Sequence, residues 1–133
     1  MKENGFLDIS EDVVKASTPL GAGLGFTKEM CGCLTGAALA LGLRYGRTDL
    51  NRSRRPSWSR GAKLVERFKD RYHTTCCAEM TKGFSDFSSA SRIQHCMEMI
   101  AFTTREVAGL LFDLDETFSD PEKNAYFARR EST

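Results

Sequence analysis

Long apolar runs are missing from this chain. The longest weakly polar stretch, residues 34–43, is ten residues and includes Thr35, Gly36 and Gly42, against the ~20 apolar residues that a membrane-spanning helix requires. No membrane association is expected from it. Residues 1–8 carry Glu3 and Asp8 where a secretory leader has a continuous apolar core, so the cytoplasm is the expected compartment. Strand-type alternation of apolar and polar residues is scarce, which argues against a sheet. CxxCH is absent, and with it the expectation of covalently attached haem. A strong net charge is also lacking, since 19 basic residues face 18 acidic ones. Nucleic acid, which a strongly basic surface would attract, is therefore not an expected partner.

Cysteine, by contrast, is present five times, at 31, 33, 76, 77 and 96. A chain of this size buries roughly two-thirds of the surface that its unfolded form exposes and needs no disulfide or metal for stability. In a reducing compartment the thiols point to reactive groups or metal ligands before structural disulfides. The opposing reading is a helical adaptor with inert buried cysteines, since free cysteine packs as a small hydrophobe. Such an adaptor would oligomerise through small residues or meet an acidic partner through a basic loop.

The charge is unevenly spread. Residues 44–72 hold ten basic and three acidic side chains, +7, whereas residues 98–133 hold four basic and eight acidic, −4. Much of the excess lies in a polar loop over residues 47–60, with Trp58 as its expected anchor.

Apolar residues recur at spacings of three and four, and the chain reads as a single all-α domain over residues 1–133, a compact bundle of about five helices. Ser10 is placed to cap a short helix at 11–17, stopped by Thr18-Pro19. A flexible glycine-rich connector, residues 20–26, leads to Thr27, the expected cap of a helix over 28–45 with Gly46 as a left-handed end. Gly32, Gly36 and Ala40 recur every four residues in that helix and predict a groove for close approach of a neighbouring helix. Further helices are expected at 59–72, 76–82 and 91–112. In the 91–112 helix, Ile93, Cys96, Met97, Ile100, Thr104, Val107, Ala108 and Leu111 make a continuous apolar face. Asp120-Pro121 opens a last helix to about 130.

Helical geometry limits how the cysteines can meet. Residues two apart on a helix diverge by about 200°, because each residue turns the chain by ~100°. Cys31 and Cys33 therefore cannot share a centre unless Cys31 sits in a frayed first turn, and adjacent Cys76 and Cys77 diverge similarly. One inward thiol per pair, with Cys96 as the third, gives an inner set of Cys31, Cys77 and Cys96. Cys31 and Cys77 each lie near a helix start, where unpaired amides and the helix dipole favour a thiolate. Three thiolates suit zinc or an iron–sulfur cluster, with Cys33, Cys76, His73 or His95 as further ligand candidates.

The block Cys31-Gly32-Cys33-Leu34-Thr35-Gly36, continued by Ala40-Leu41-Gly42-Leu43-Arg44-Tyr45-Gly46, resembles the CGAxxG motif of the C-GCAxxG-C-C putative redox-active proteins. Cys77-Ala78-Glu79-Met80 resembles that family's downstream cysteine block, and Cys96 its last cysteine. The resemblance covers about residues 20–111, leaving 112–133 as a helical extension. It implies a helical domain with clustered cysteines and a redox or metal-linked role. Two departures stand out. No cysteine occurs in residues 1–30, where the family has one, and Cys33 replaces the usual alanine. Either Cys33 or Cys76 takes the place of the missing thiol, or the site has decayed or opens to a partner's ligand.

Other signals carry less. Asp113-Leu114-Asp115-Glu116-Thr117 matches a phosphatase DxDxT but follows a helix instead of a strand. The alternating glycines at 21, 23 and 25 have the wrong spacing for a dinucleotide loop. The leading expectation is a cysteine-based redox protein, in which Cys31 attacks a disulfide or oxidant and a second cysteine resolves it, or the thiolates hold an iron–sulfur cluster or zinc. Its redox partner is unknown, and a homo-oligomer is possible.

Overall fold

The computed structural model describes residues 9–112. Five α-helices and one 3-10 turn follow in the order α1 (Glu11–Ala16), the turn (Thr18–Leu20), α2 (Gly32–Tyr45), α3 (Arg55–Tyr72), α4 (Cys77–Thr81) and α5 (Ala90–Leu111). The architecture is all-α, as the spacing of apolar residues predicts. Extended pairing among the described residues is an isolated bridge between Met30 and Cys76. No helix among them is long and apolar enough to cross a membrane. The acidic segment 113–117 and the last expected helix, 121–130, lie outside the described residues.

α2 is the central helix and packs against both α5 and α3. Leu34, Ala37 and Leu41 of α2, Leu64 and Phe68 of α3, and Met99, Val107, Leu110 and Leu111 of α5 form the buried core. These recur at spacings of three and four, which puts them on one face of each helix. Burying each large side chain contributes roughly 1.5–3 kcal/mol over leaving it in water. One end of the bundle is tied by Tyr45, whose hydroxyl donates to the carbonyl of Leu111 at 2.8 Å and so satisfies an acceptor at the end of α5. The buried Arg60 guanidinium lies 3.6 Å from the centre of the Tyr45 ring. Arg67 of α3 and Glu106 of α5 pair at 3.0 Å across the bundle.

Several expectations are corrected. On α5 the buried face is Met99, Thr103, Val107, Leu110 and Leu111, while Ile93, Met97 and Ile100 are 44%, 58% and 53% exposed. The apolar stripe is wider than the core, and α2 selects its far edge. α3 begins at Arg55 with Pro56 in its first turn, four residues earlier than the expected start at Ser59, because proline fits the helix start where no amide partner is needed. Trp58 accordingly sits on a helix at 46% exposure, under the Arg54 guanidinium at 4.3 Å. Gly46 is extended at φ −68°, not left-handed. The left-handed end belongs to α3, where His73 has φ 66°.

The glycine-rich connector is not a flexible tether. Ala22, Gly23, Leu24, Gly25 and Phe26 all have positive φ, as does Lys28. This left-handed turn costs about 1–2 kcal/mol at each non-glycine residue, and specific bonds offset it. The Gly25 amide donates to the Pro19 carbonyl at 2.7 Å, and the Lys28 and Glu29 amides donate to Ala22 and Gly23 at 3.0 Å each. Thr27 caps nothing downstream. Its hydroxyl donates back to the Gly23 and Leu24 carbonyls, both at 2.8 Å, and α2 begins at Gly32 with Cys31 as its flanking residue.

The glycines of this turn are separable by experiment. At Gly23, φ is +70° and a Cβ would stand 2.5 Å from the Glu29 nitrogen, whereas at Gly25, with φ +60°, it would meet nothing within 4 Å. Gly25→Ala is expected to cost about 1 kcal/mol from backbone strain alone, and Gly23→Ala at least about 2 kcal/mol more, because its clash is with backbone. Urea denaturation of the two variants beside the wild type reads this difference; equal losses would contradict the packed turn.

Candidate functional site

A short backbone pairing brings the two cysteine blocks together. The Cys31 amide donates to Thr75 at 2.8 Å, the Cys77 amide to Glu29 at 2.6 Å and the Ala78 amide to Lys28 at 2.9 Å. The segment just before α2 is thus held against the start of α4. Cys31 consequently stays outside the helix, at φ −54° and ψ 129°, while Cys33 lies inside its first turn. This is the one arrangement in which thiols two residues apart can meet, and the two side chains are near enough to shift each other's proton affinity.

Cys31, Cys33, Cys77 and Cys96 all line one cavity between α1, α2 and α5. Cys31 and Cys77 are buried, Cys33 and Cys96 partly so, and all are free thiols. Cys76 is not among the lining residues. Its thiol turns to the Lys28 carbonyl at 3.5 Å, so the adjacent pair diverges as helical geometry requires. His73 is exposed at the end of α3, and His95 packs its ring on Phe84 at 5.5 Å, so neither histidine faces the thiols as a ligand.

Gly32, Gly36 and Ala40 line this cavity in place of a neighbouring helix. A Cβ at Gly32 would come within 2.8 Å of the Leu20 carbonyl oxygen, so the chain before α2 makes the close approach there. At Gly36 a Cβ would meet nothing within 4 Å, and that part of the stripe is open floor.

The glycine–cysteine block at the head of α2 and the two later cysteine blocks meeting it agree with a wider comparison. The family model of the Putative redox-active protein (C_GCAxxG_C_C) matches residues 2–110. The chain belongs to that family. Comparison with curated proteins and with solved structures finds no match. The C_GCAxxG_C_C match extends upstream of residue 20, through α1.

Within this member of the C_GCAxxG_C_C family the four thiols are not equivalent. Cys31 is lowered to about 7, chiefly by the hydrogen bond from the Cys33 side chain; burial opposes this, and the first-turn amides of Cys33 and Leu34 add to it. Cys33 is raised, because its proton serves Cys31, because it is buried and because it faces the Cys31 charge; Thr103 pulls the other way. The first proton leaves the pair easily and the second is held. Cys77 is raised by burial and by the neighbouring thiols. That corrects the expectation of a thiolate there, since α4 has five residues and its dipole is too short to overcome burial.

Arg92 and Thr103 escape the sequence reading. Arg92 directs Nη1 to the Cys96 sulfur at 3.7 Å, one helical turn away. Its i,i+4 spacing to Cys96 was a usable signal. Thr103 lies on the helix face that the stripe assigns to Thr104 instead.

Four thiols suit zinc or an iron–sulfur cluster in kind. Among the described residues, however, no three cysteine, histidine, aspartate or glutamate side chains are placed to hold one metal ion. The placement supports a dithiol pair and provides no ready three-ligand set.

The asymmetry predicts a pH profile. Alkylation of reduced protein at Cys31 should be half-maximal at about pH 7. In Cys33→Ala it should move up toward the ordinary cysteine value of ~8.5. Because folded Cys31 loses its proton at lower pH than the unfolded chain does, its contribution to stability rises from about pH 7 to ~8.5 and is lost as pH falls back through that range. Raised Cys33 and Cys77 act oppositely, lowering stability above ~8.5. Mass mapping of iodoacetamide-labelled peptides across pH checks the first effect; an unchanged Cys31 profile in Cys33→Ala would contradict the coupling.

Proposed function

We propose that the protein is a thiol–disulfide exchange factor in which Cys31 is the attacking thiol and Cys33 the resolving thiol. The observation that carries this reading is the placement of Cys31 just outside α2 and of Cys33 in its first turn, both on one cavity, where their interaction favours a thiolate at Cys31 near neutral pH while Cys33 keeps its proton. An attacking thiol performs best with a pKa near ambient pH, where much of it is ionised and its nucleophilicity is still high.

The Cys31 thiolate attacks one sulfur of a partner disulfide, forming a mixed disulfide and releasing the other partner sulfur as thiolate. Cys33 then gives up its proton to solvent or to that leaving thiolate and attacks the Cys31 sulfur. The mixed disulfide breaks, a Cys31–Cys33 disulfide forms, and the partner's second sulfur leaves. Two electrons pass from the protein to the partner, and a separate reductant must return them. With Cys33 as resolving thiol, the family cysteine missing upstream is replaced from within the motif itself. Cys77 and Cys96 are reserve thiols on the same cavity.

Treatment of the reduced protein with diamide is expected to give an intramolecular Cys31–Cys33 disulfide, read as one cross-linked peptide. Cys31→Ser should not form it, and Cys33→Ala should trap a mixed disulfide with glutathione on Cys31. A disulfide joining Cys77 to Cys96, or near-stoichiometric iron or zinc after anaerobic purification, would overturn the reading.

A further inference from the structure

The cavity on which the thiols open extends well past them. Its volume is about 680 Å³, within the ~300–1,000 Å³ usual for small-molecule sites, which are mostly apolar with a few placed polar groups. Val13, Leu20, Leu39, Leu43, Met99 and Ile100 supply much of its wall. Gly36 forms an unobstructed floor between α2 and α5, where a side chain would meet no atom within 4 Å.

Arg92 is the only arginine, lysine, aspartate or glutamate among the described residues that line this space. It is held at the thiol end from three directions. Its Nε donates to the Phe87 carbonyl, its guanidinium lies 4.0 Å from the centre of the Phe87 ring, and Nη1 points to Cys96. The carboxylates that pair with cations among the described residues are Glu66 with Lys63 and Glu106 with Arg67, and none pairs with Arg92. A fixed guanidinium at the end of an apolar cavity, without a carboxylate to balance it, selects for an anion through charge-assisted hydrogen bonds.

We infer that the cavity is a binding site for an amphipathic small molecule, with a single carboxylate-type head at Arg92 and an apolar body lying past Gly36 between α2 and α5. Charge complementarity fixes the orientation. The head lies beside Cys96, and the apolar body removes Leu39, Leu43 and Ile100 from water. This goes beyond the exchange reading, and its test reads binding instead of thiol chemistry.

Titration calorimetry of the full, reduced chain with octanoate and with octanol separates head from body. Octanoate is expected to bind on the order of tenfold tighter than octanol, as a charge-assisted hydrogen bond implies. Arg92→Gln should reduce octanoate to the level of octanol and leave octanol unchanged. Gly36→Leu, which fills the floor and favours the helix, should remove binding of both. Binding is read without any thiol oxidant and disulfide formation without octanoate, so failure of the exchange reading and failure of this one are read separately. Equal affinity for the two probes in the wild type would overturn the inference without recourse to any variant. So would no binding of either, the result expected where a second copy of the chain or another apolar segment fills the groove.

Discussion

The pairing of residues 28–31 with residues 75–78 is the constraint on which the site depends. Three amide-to-carbonyl bonds dock the segment before α2 against the start of α4. Their first consequence is local. Cys31 is kept out of the helix that its sequence would otherwise join, and two thiols that helical geometry separates come into contact. The second is global, since Cys77 is carried into the cavity that Cys96 reaches from α5. Without that pairing the chain would still be a helical bundle, but its cysteines would stand apart.

The left-handed turn at residues 22–26 serves the same end. A run of positive φ through Ala22, Leu24 and Phe26 is unfavourable, and glycine at 23 lets the chain close on the backbone of Lys28 and Glu29. Leu20 then approaches Gly32 closely beside the thiols. Small residues in this family block therefore create empty space and backbone contact rather than a helix–helix seam. The apolar space has thiols at one end and one guanidinium, that of Arg92, beside Cys96.

Much of the fold was legible in the residues. Burial at Leu34, Ala37 and Leu41, and at Leu64 and Phe68, recurs every three or four positions, as one buried face of a helix requires. The long helix was legible in extent but not in orientation. Ile93, Met97 and Ile100 are as apolar as Met99 and Val107, so hydrophobicity alone could not tell which edge α2 would cover. The start of α2 was misread for a related reason. Thr27 has the chemistry of a cap, but its hydroxyl is used by the Gly23 and Leu24 carbonyls of the preceding turn.

Composition and periodicity by themselves determined an all-helical chain and the small set of thiols able to do chemistry, because these follow from residue type and local spacing. Tertiary structure alone decided which thiols share a cavity, that Cys76 turns away, and that Arg92 stands beside Cys96. The placement of Cys31 outside α2 depends on backbone pairing with residues dozens of positions distant, which no local pattern specifies.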